Sequence, residues 1–136
     1  MADKFQLRVV TPNRQLLDEE VREVTAPASL GEIGVLPDHA TLLTSLEIGV
    51  MSYRTDRGPA RVAVRGGFAE VADNVMTVLA DDAAFPEDVN AGAVEQELRT
   101  AEAQVKDLAP ADDTFAAAEG AVKWAKARIE AARAQR

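Results

Sequence analysis

Arg65 to Asp81 reads RGGFAEVADNVMTVLAD. Phe68 to Val71 and Val75 to Leu79 are short runs of strand-forming residues. Between them sits Ala72-Asp73-Asn74, and Asp and Asn tolerate positive φ. Two such runs joined by so short a turn predict an antiparallel β-hairpin. Gly66-Gly67, just ahead, predicts a bulge or a tight bend.

The pattern continues toward the N-terminus. Arg61 to Arg65 alternates, with Val62 and Val64 on one face. Ile48 to Tyr53 is another run, closed by Thr55-Asp56-Arg57-Gly58-Pro59. Val21 to Thr25 is rich in β-branched residues and stops at Pro27. Phe5, Leu7 and Val9 alternate with Gln6 and Arg8, a period of two. Turn signals recur about every 8–12 residues, the spacing of an antiparallel sandwich or barrel. The predicted β-domain covers residues 1–85.

After Pro86 the alphabet changes to alanine, glutamate and glutamine. Val94, Leu98, Ala101, Val105 and Leu108 step by three and four, a helical stripe. Ala109-Pro110 ends it, because proline disfavours helix in the residue before it. Asp112-Asp113-Thr114 offers N-caps. Phe115, Ala118, Val122, Ala125, Ile129 and Ala132 then form a second, alanine-rich seam. Helices over about 88–108 and 113–134 predict an antiparallel hairpin filling residues 86–136. Alanine seams bury little apolar area, so the hairpin is expected to lean on something else and to be detachable. Trp124 lies one position off the seam. It reads as packing on the hairpin or sandwich, or as an interface anchor.

Composition narrows the function. The 136 residues are 47% apolar and 28% charged, a globular balance. A formal charge of −8 argues against nucleic acid as the main partner. There is no cysteine, hence no disulfide frame and no thiolate chemistry. The first residues, MADKFQLRVV, do not read as a signal segment, and no run approaches the ~20 apolar residues of a membrane span. A role at a membrane would therefore be held by other proteins. Residues 112–136 carry five basic side chains against four acidic ones, and residues 1–111 ten against nineteen. The last helix is the part suited to an acidic surface. Arg133 and Arg136 also complement a helix C-terminus, which does not account for Lys123 and Lys126.

Catalytic chemistry is hard to find. Gly31 to Leu42, GEIGVLPDHATL, holds the only histidine, His39, with Asp38 beside it and Glu32 nearby. No metal-ligand spacing, thiol pair or nucleophile elbow accompanies it. Asp81-Asp82 falls short of a calcium loop, and Gly31-Glu32-Ile33-Gly34 is followed by no Gly-Lys-Ser/Thr. The residues alone describe a non-enzymatic module with no metal and no cofactor.

The ordered segments GEIGVLPDHATLLT, GGFAEV and MTVLAD, followed by an alanine-rich hairpin, resemble the epsilon subunit of bacterial F-type ATP synthases. That family is the counterpart of the mitochondrial delta subunit. The resemblance implies a sandwich of about ten strands followed by a two-helix hairpin. It implies a non-catalytic subunit of the central stalk, the rotor of a proton-translocating enzyme, joined to gamma and to the c-subunit ring. It places the protein peripherally on the cytoplasmic side of a bacterial inner membrane. Glu32 and His39 match the family's ring-facing acid and histidine, with Leu42 and Leu43 packing beside them. Ile33, Val35 and Leu36 would either seat the loop or add contact area.

In many members the helices rise along gamma and block hydrolysis. That implies contacts from Lys123, Lys126, Arg128 and Arg133 to an acidic surface of the alpha/beta head. Many bacterial members also bind ATP through I/L-D-x-x-R-A at the first helix. Here the motif is degenerate: the aligned stretch runs from Val89 to Val94, with Asn90 in place of the aspartate and Ala93 in place of the arginine. Alanine cannot replace a guanidinium against phosphate, so no tight ATP binding is expected. Two other classes compete. One is a free-standing ligand-binding β-domain with a helical dimerisation hairpin. The other is a hydrolase using His39 with Glu32.

Overall fold

The computed structural model describes residues 2–133. Eight strands precede two helices. They are β1 (Phe5–Thr11), β2 (Arg14–Val21), β3 (Glu23–Ala28), β4 (Gly31–Val35), β5 (Leu42–Thr55), β6 (Gly58–Ala72), β7 (Val75–Leu79) and β8 (Ala83–Ala84). A short 3₁₀ turn, Pro86–Asp88, leads to α1 (Ala91–Asp107) and α2 (Phe115–Arg133). Ala134 and Arg136, expected at the end of the second helix, lie outside the described residues.

The strand order is β2-β1-β7-β6-β5-β3-β4, with β8 on the flank of β6. The predicted hairpin is β6–β7, and its turn residues Asp73 and Asn74 have φ of 52° and 62°. β1 and β7 pair in parallel, a departure from the expected all-antiparallel sheet. The long chain between them supplies the crossover that parallel pairing needs.

About ten strands were expected, and eight are present among the described residues. The difference lies in β5 and β6, which run for 14 and 15 residues. Each changes its inward face midway. In β6, Val62 and Val64 enter the sandwich core, whereas beyond the glycines the core residues are Ala69 and Val71. In β5, Leu46 is in the core at an even position, and Met51 and Tyr53 at odd ones. A strand keeps one parity unless something breaks the pleat. Gly66 (φ 66°) and Gly67 (φ 104°) break it in β6. A Cβ on Gly67 would stand 2.0 Å from the Leu79 carbonyl oxygen, so only glycine fits. Each long strand thus serves both layers of the sandwich.

Leu7, Val9, Val21, Met51, Met76 and Val78 are wholly buried in the core between the layers. Each such side chain contributes about 1.5–3 kcal/mol of transfer free energy. The face switch leaves Ile48 and Val50 of β5 and Ala63 of β6 on the outside of one layer. There they meet Trp124, Ala127 and Ala131 of α2. On its other side α2 packs Ala125 and Ile129 against Val94 and Leu98 of α1. The hairpin is therefore folded down on the β-domain, and Trp124 is the large side chain of that contact.

Candidate functional site

The segment Gly31 to Leu42 begins as a strand. Gly31–Val35 forms β4 and pairs antiparallel with β3, Val35 opposite Val24 and Ile33 opposite Ala26. The alternation of a strand then assigns each side chain a side. Val35 is 1% exposed in the sandwich core and Ile33 packs against the same core. Glu32, on the opposite face, is exposed. So Ile33 and Val35 seat the segment, and Glu32 is presented outward by their burial. Leu36, one residue past the strand, is 57% exposed and free to add contact area.

Leu36-Pro37-Asp38-His39 then turns back. The His39 N–H donates to the Leu36 carbonyl at 3.2 Å. Asp38 is left-handed, with φ 62°. Its N–H donates to Asn74 Oδ1 at 2.8 Å, and Asn74 Nδ2 donates to the Lys4 carbonyl at 2.8 Å. The Ala2 N–H donates to Asp38 Oδ2 at 2.9 Å. One asparagine of the β6–β7 turn thus ties the His39 turn to the N-terminal segment. By its sequence Asn74 is a turn former only. Nothing local signals a partner 36 residues away.

The four residues expected at a partner surface are not equivalent. Glu32 and Leu43 are exposed, Leu43 by 71%. Leu42 turns inward against the core. His39 is half-buried, and its Nδ1 lies 2.7 Å from the Ala40 carbonyl oxygen. A carbonyl accepts only, so Nδ1 is the donor of this hydrogen bond. Among the described residues, the hydrogen bond of the His39 ring is to the Ala40 carbonyl and not to Glu32. A Ser29–Ser45 hydroxyl bond of 2.5 Å fastens the β3–β4 turn to β5, with the fully exposed Leu30 at its tip.

The helical residues also divide. Lys123, Lys126 and Arg133 are exposed. Arg128 is not: its side chain is 17% exposed, bonded to Glu97 of α1 and stacked on Trp124. At the degenerate nucleotide motif, Asn90 Oδ1 accepts from the Ala93 N–H at 3.1 Å and caps α1. Val94 is buried, Val89 packs beside it, and Ala93 is exposed. These residues build and cap the hairpin.

Elsewhere, a cleft of about 600 Å³ lies among Tyr53, Arg57, Arg61, Phe85 and Glu87. Burial pushes the Tyr53 phenol up to about 12, and the charges of Glu19 and Glu87 add to the effect. Among the described residues, no three His, Asp or Glu side chains are placed to hold a metal. Among the same residues, no helix is long and apolar enough to cross a membrane.

A family model described as ATP synthase, Delta/Epsilon chain, beta-sandwich domain matches residues 4–86. The protein named ATP synthase epsilon chain 2 in Syntrophotalea carbinolica is 40% identical over 132 residues, 97% of this chain and 96% of that one. The ATP synthase epsilon chain of Geobacter sulfurreducens is 38% identical over the same shares, 97% and 96%. Among solved structures, a chain of the Euglena gracilis mitochondrial ATP synthase (OSCP/F1/c-ring, rotational state 1) aligns with a TM-score of 0.81 at 24% identity. It covers 98% of this chain and 83% of its own. A chain of the Tetrahymena thermophila mitochondrial ATP synthase central stalk and c-ring aligns at 0.59 with 17% identity, covering 95% and 93%. At such identities these two likenesses speak to the fold.

Proposed function

This chain belongs to the ATP synthase delta/epsilon chain family, and from that premise we propose that it is a non-catalytic central-stalk subunit of an F-type ATP synthase. Its β-domain joins the membrane rotor ring to gamma, and its hairpin regulates hydrolysis at the alpha/beta head. The observation that carries this reading is the likeness to proteins named epsilon chain across 97% of the sequence. The geometry supports a division of labour. Glu32 is held outward by Ile33 and Val35, the arrangement that suits a rigid contact with basic loops of a ring. A rim ion pair alone contributes only about 0.2–1 kcal/mol, so the exposed Leu36 and Leu43 supply contact area beside it. Phe68 and Leu79, 56% and 53% exposed, pair across β6 and β7. They give gamma an apolar face that the hairpin does not cover. The complex sits at the cytoplasmic face of a bacterial inner membrane, and this chain reaches it through the ring without insertion.

The competing idea of a dimerising hairpin has less to stand on. α2 already spends one seam on α1 and the other on the chain's own sheet. Reconstitution with and without residues 88–136 tests the proposal. ATP-driven proton pumping should survive the truncation, because coupling rests on the β-domain. A rise in hydrolysis would establish an inhibitory hairpin, and no change would leave it a scaffold. Normal pumping in a complex lacking the whole chain would overturn the stalk role.

A further inference from the structure

α2 makes two separate packings, and one side chain lies between them. At about 100° per residue, with Trp124 set at zero, Ala127 and Ala131 fall at about −60° and −20°, toward the sheet. Ala125 and Ile129 fall at about 100° and 140°, toward α1, and Arg128 falls at about 40°, in the gap. Its guanidinium stands 5.1 Å from the centre of the Trp124 ring. Its terminal nitrogen donates to Glu97 Oε2 at 2.5 Å, across the hairpin. Its Nε points to the Trp124 carbonyl at 3.4 Å.

We infer that Arg128 is a clasp that makes the two packings one: α2 is held to the sheet only while α1 is held to α2. The physical case rests on what each seam lacks. The sheet-side seam is alanine apart from Trp124, Ile48 and Val50, and the α1-side seam is a small cluster of Val89, Val94, Leu98, Ala125 and Ile129. Trp124 is the large group on the sheet side, and a cation over its face is attracted by the ring quadrupole. That cation stays over the ring because Glu97 pins its far end from α1. If Glu97 lets go, the guanidinium swings toward solvent and Trp124 loses its cover along with its partner. Arg128 is thus a positioning residue, and not the free contact for an acidic surface that the sequence alone suggests. The inference deepens the regulatory reading proposed above and rests on it: a hairpin that rises must first break this clasp.

The test needs only the full isolated chain, so it stands or falls separately from the reconstitution. Hydrogen exchange is measured for α1, α2 and the β-domain in the parent, Glu97→Gln and Arg128→Lys. Arg128→Lys keeps the charge but loses the planar stack and fork. Glu119→Gln removes an α2 carboxylate that does not touch Arg128 and serves as control. In Glu97→Gln, exchange in both helices should rise together, by roughly three- to tenfold, with β-domain exchange unchanged. Arg128→Lys should move both helices in the same direction, and Glu119→Gln neither. Trp124 is the only tryptophan, so its quenching by acrylamide should increase alongside. Faster exchange in α1 alone, with α2 and Trp124 quenching unchanged, would overturn the clasp. So would unchanged exchange throughout.

Discussion

Asn74 does two jobs, and two substitutions separate them. Its backbone holds φ at 62° in the β6–β7 turn, and its side chain bonds Asp38 and Lys4. Asn74→Gly keeps the turn and deletes both bonds. Each is worth about 0.5–1.5 kcal/mol net. The extra freedom of glycine in the unfolded chain adds roughly 0.5–1 kcal/mol. The expected loss is about 1.5–4 kcal/mol. Asn74→Ala deletes the same bonds and also forces a Cβ into left-handed backbone, at about 1–2 kcal/mol. It should therefore be the less stable of the two, by up to about 1.5 kcal/mol once the glycine entropy is offset. Urea unfolding of the full chain reads both, as a lower midpoint with an unchanged slope. Amide exchange at Asp38 and His39 should quicken in both variants, because the turn has lost its anchor. In the assembled enzyme, coupling should weaken while hydrolysis by the head is unaffected. If Asn74→Gly unfolds at the parent midpoint and Asp38 exchanges no faster, the side chain anchors nothing. The His39 turn would then be held by its own backbone.

Three further outcomes follow from the same geometry. Trp124→Ala removes the largest group between hairpin and sheet, at about 3–5 kcal/mol, so the helices should melt below the β-domain in circular dichroism; a single shared transition would contradict this. Tyr53 is the only tyrosine, so phenolate absorbance reports it alone. Its folded pKa is about 12 against an ordinary 10.0. A raised folded pKa gives stability that is full below pH 10 and lost as pH climbs toward 12. Tyr53→Phe should abolish that alkaline loss. Calorimetry at neutral pH should find no micromolar ATP affinity, because Asn90 is committed as a cap and Ala93 offers no guanidinium; micromolar binding would mean that the hairpin opens a site not seen in its docked form.

The legible parts of this fold are those with local causes. Asp73-Asn74 announces its hairpin because a short turn needs positive φ. The α1 stripe is visible because burial repeats every three or four residues, and Val94 and Ala101 are its buried members. β4 is hidden because five residues with two glycines satisfy turn chemistry as well as strand chemistry. Its strand identity comes from β3, across a bend. Pro27 looks like a strand terminator, yet it lies inside β3 opposite Glu32. It is accommodated where the β3–β5 register shifts, and Gly49 makes the room: a Cβ there would sit 3.1 Å from the proline ring. The parallel β1–β7 pairing leaves no local trace at all.

The candidate site follows the same division. The outward aim of Glu32 is readable once β4 is known, because Ile33 and Val35 must face the core. The Asn74 anchor is a tertiary accident of two turns meeting. Arg128 is an intermediate case. In an antiparallel hairpin, positions about equally far from the turn oppose each other, and Glu97 and Arg128 are close to that condition. Reading Arg128 together with Lys123 and Lys126 as one basic face ignores this pairing. The structure separates them by burial: the lysines keep their charge in water, and the arginine spends its own inside the molecule. A partner that recruits Arg128 must therefore displace Glu97. A partner that uses only the lysines need not disturb the hairpin. Charge counted along a helix cannot distinguish these two modes of engagement, whereas the angle of each residue between its two packed seams can.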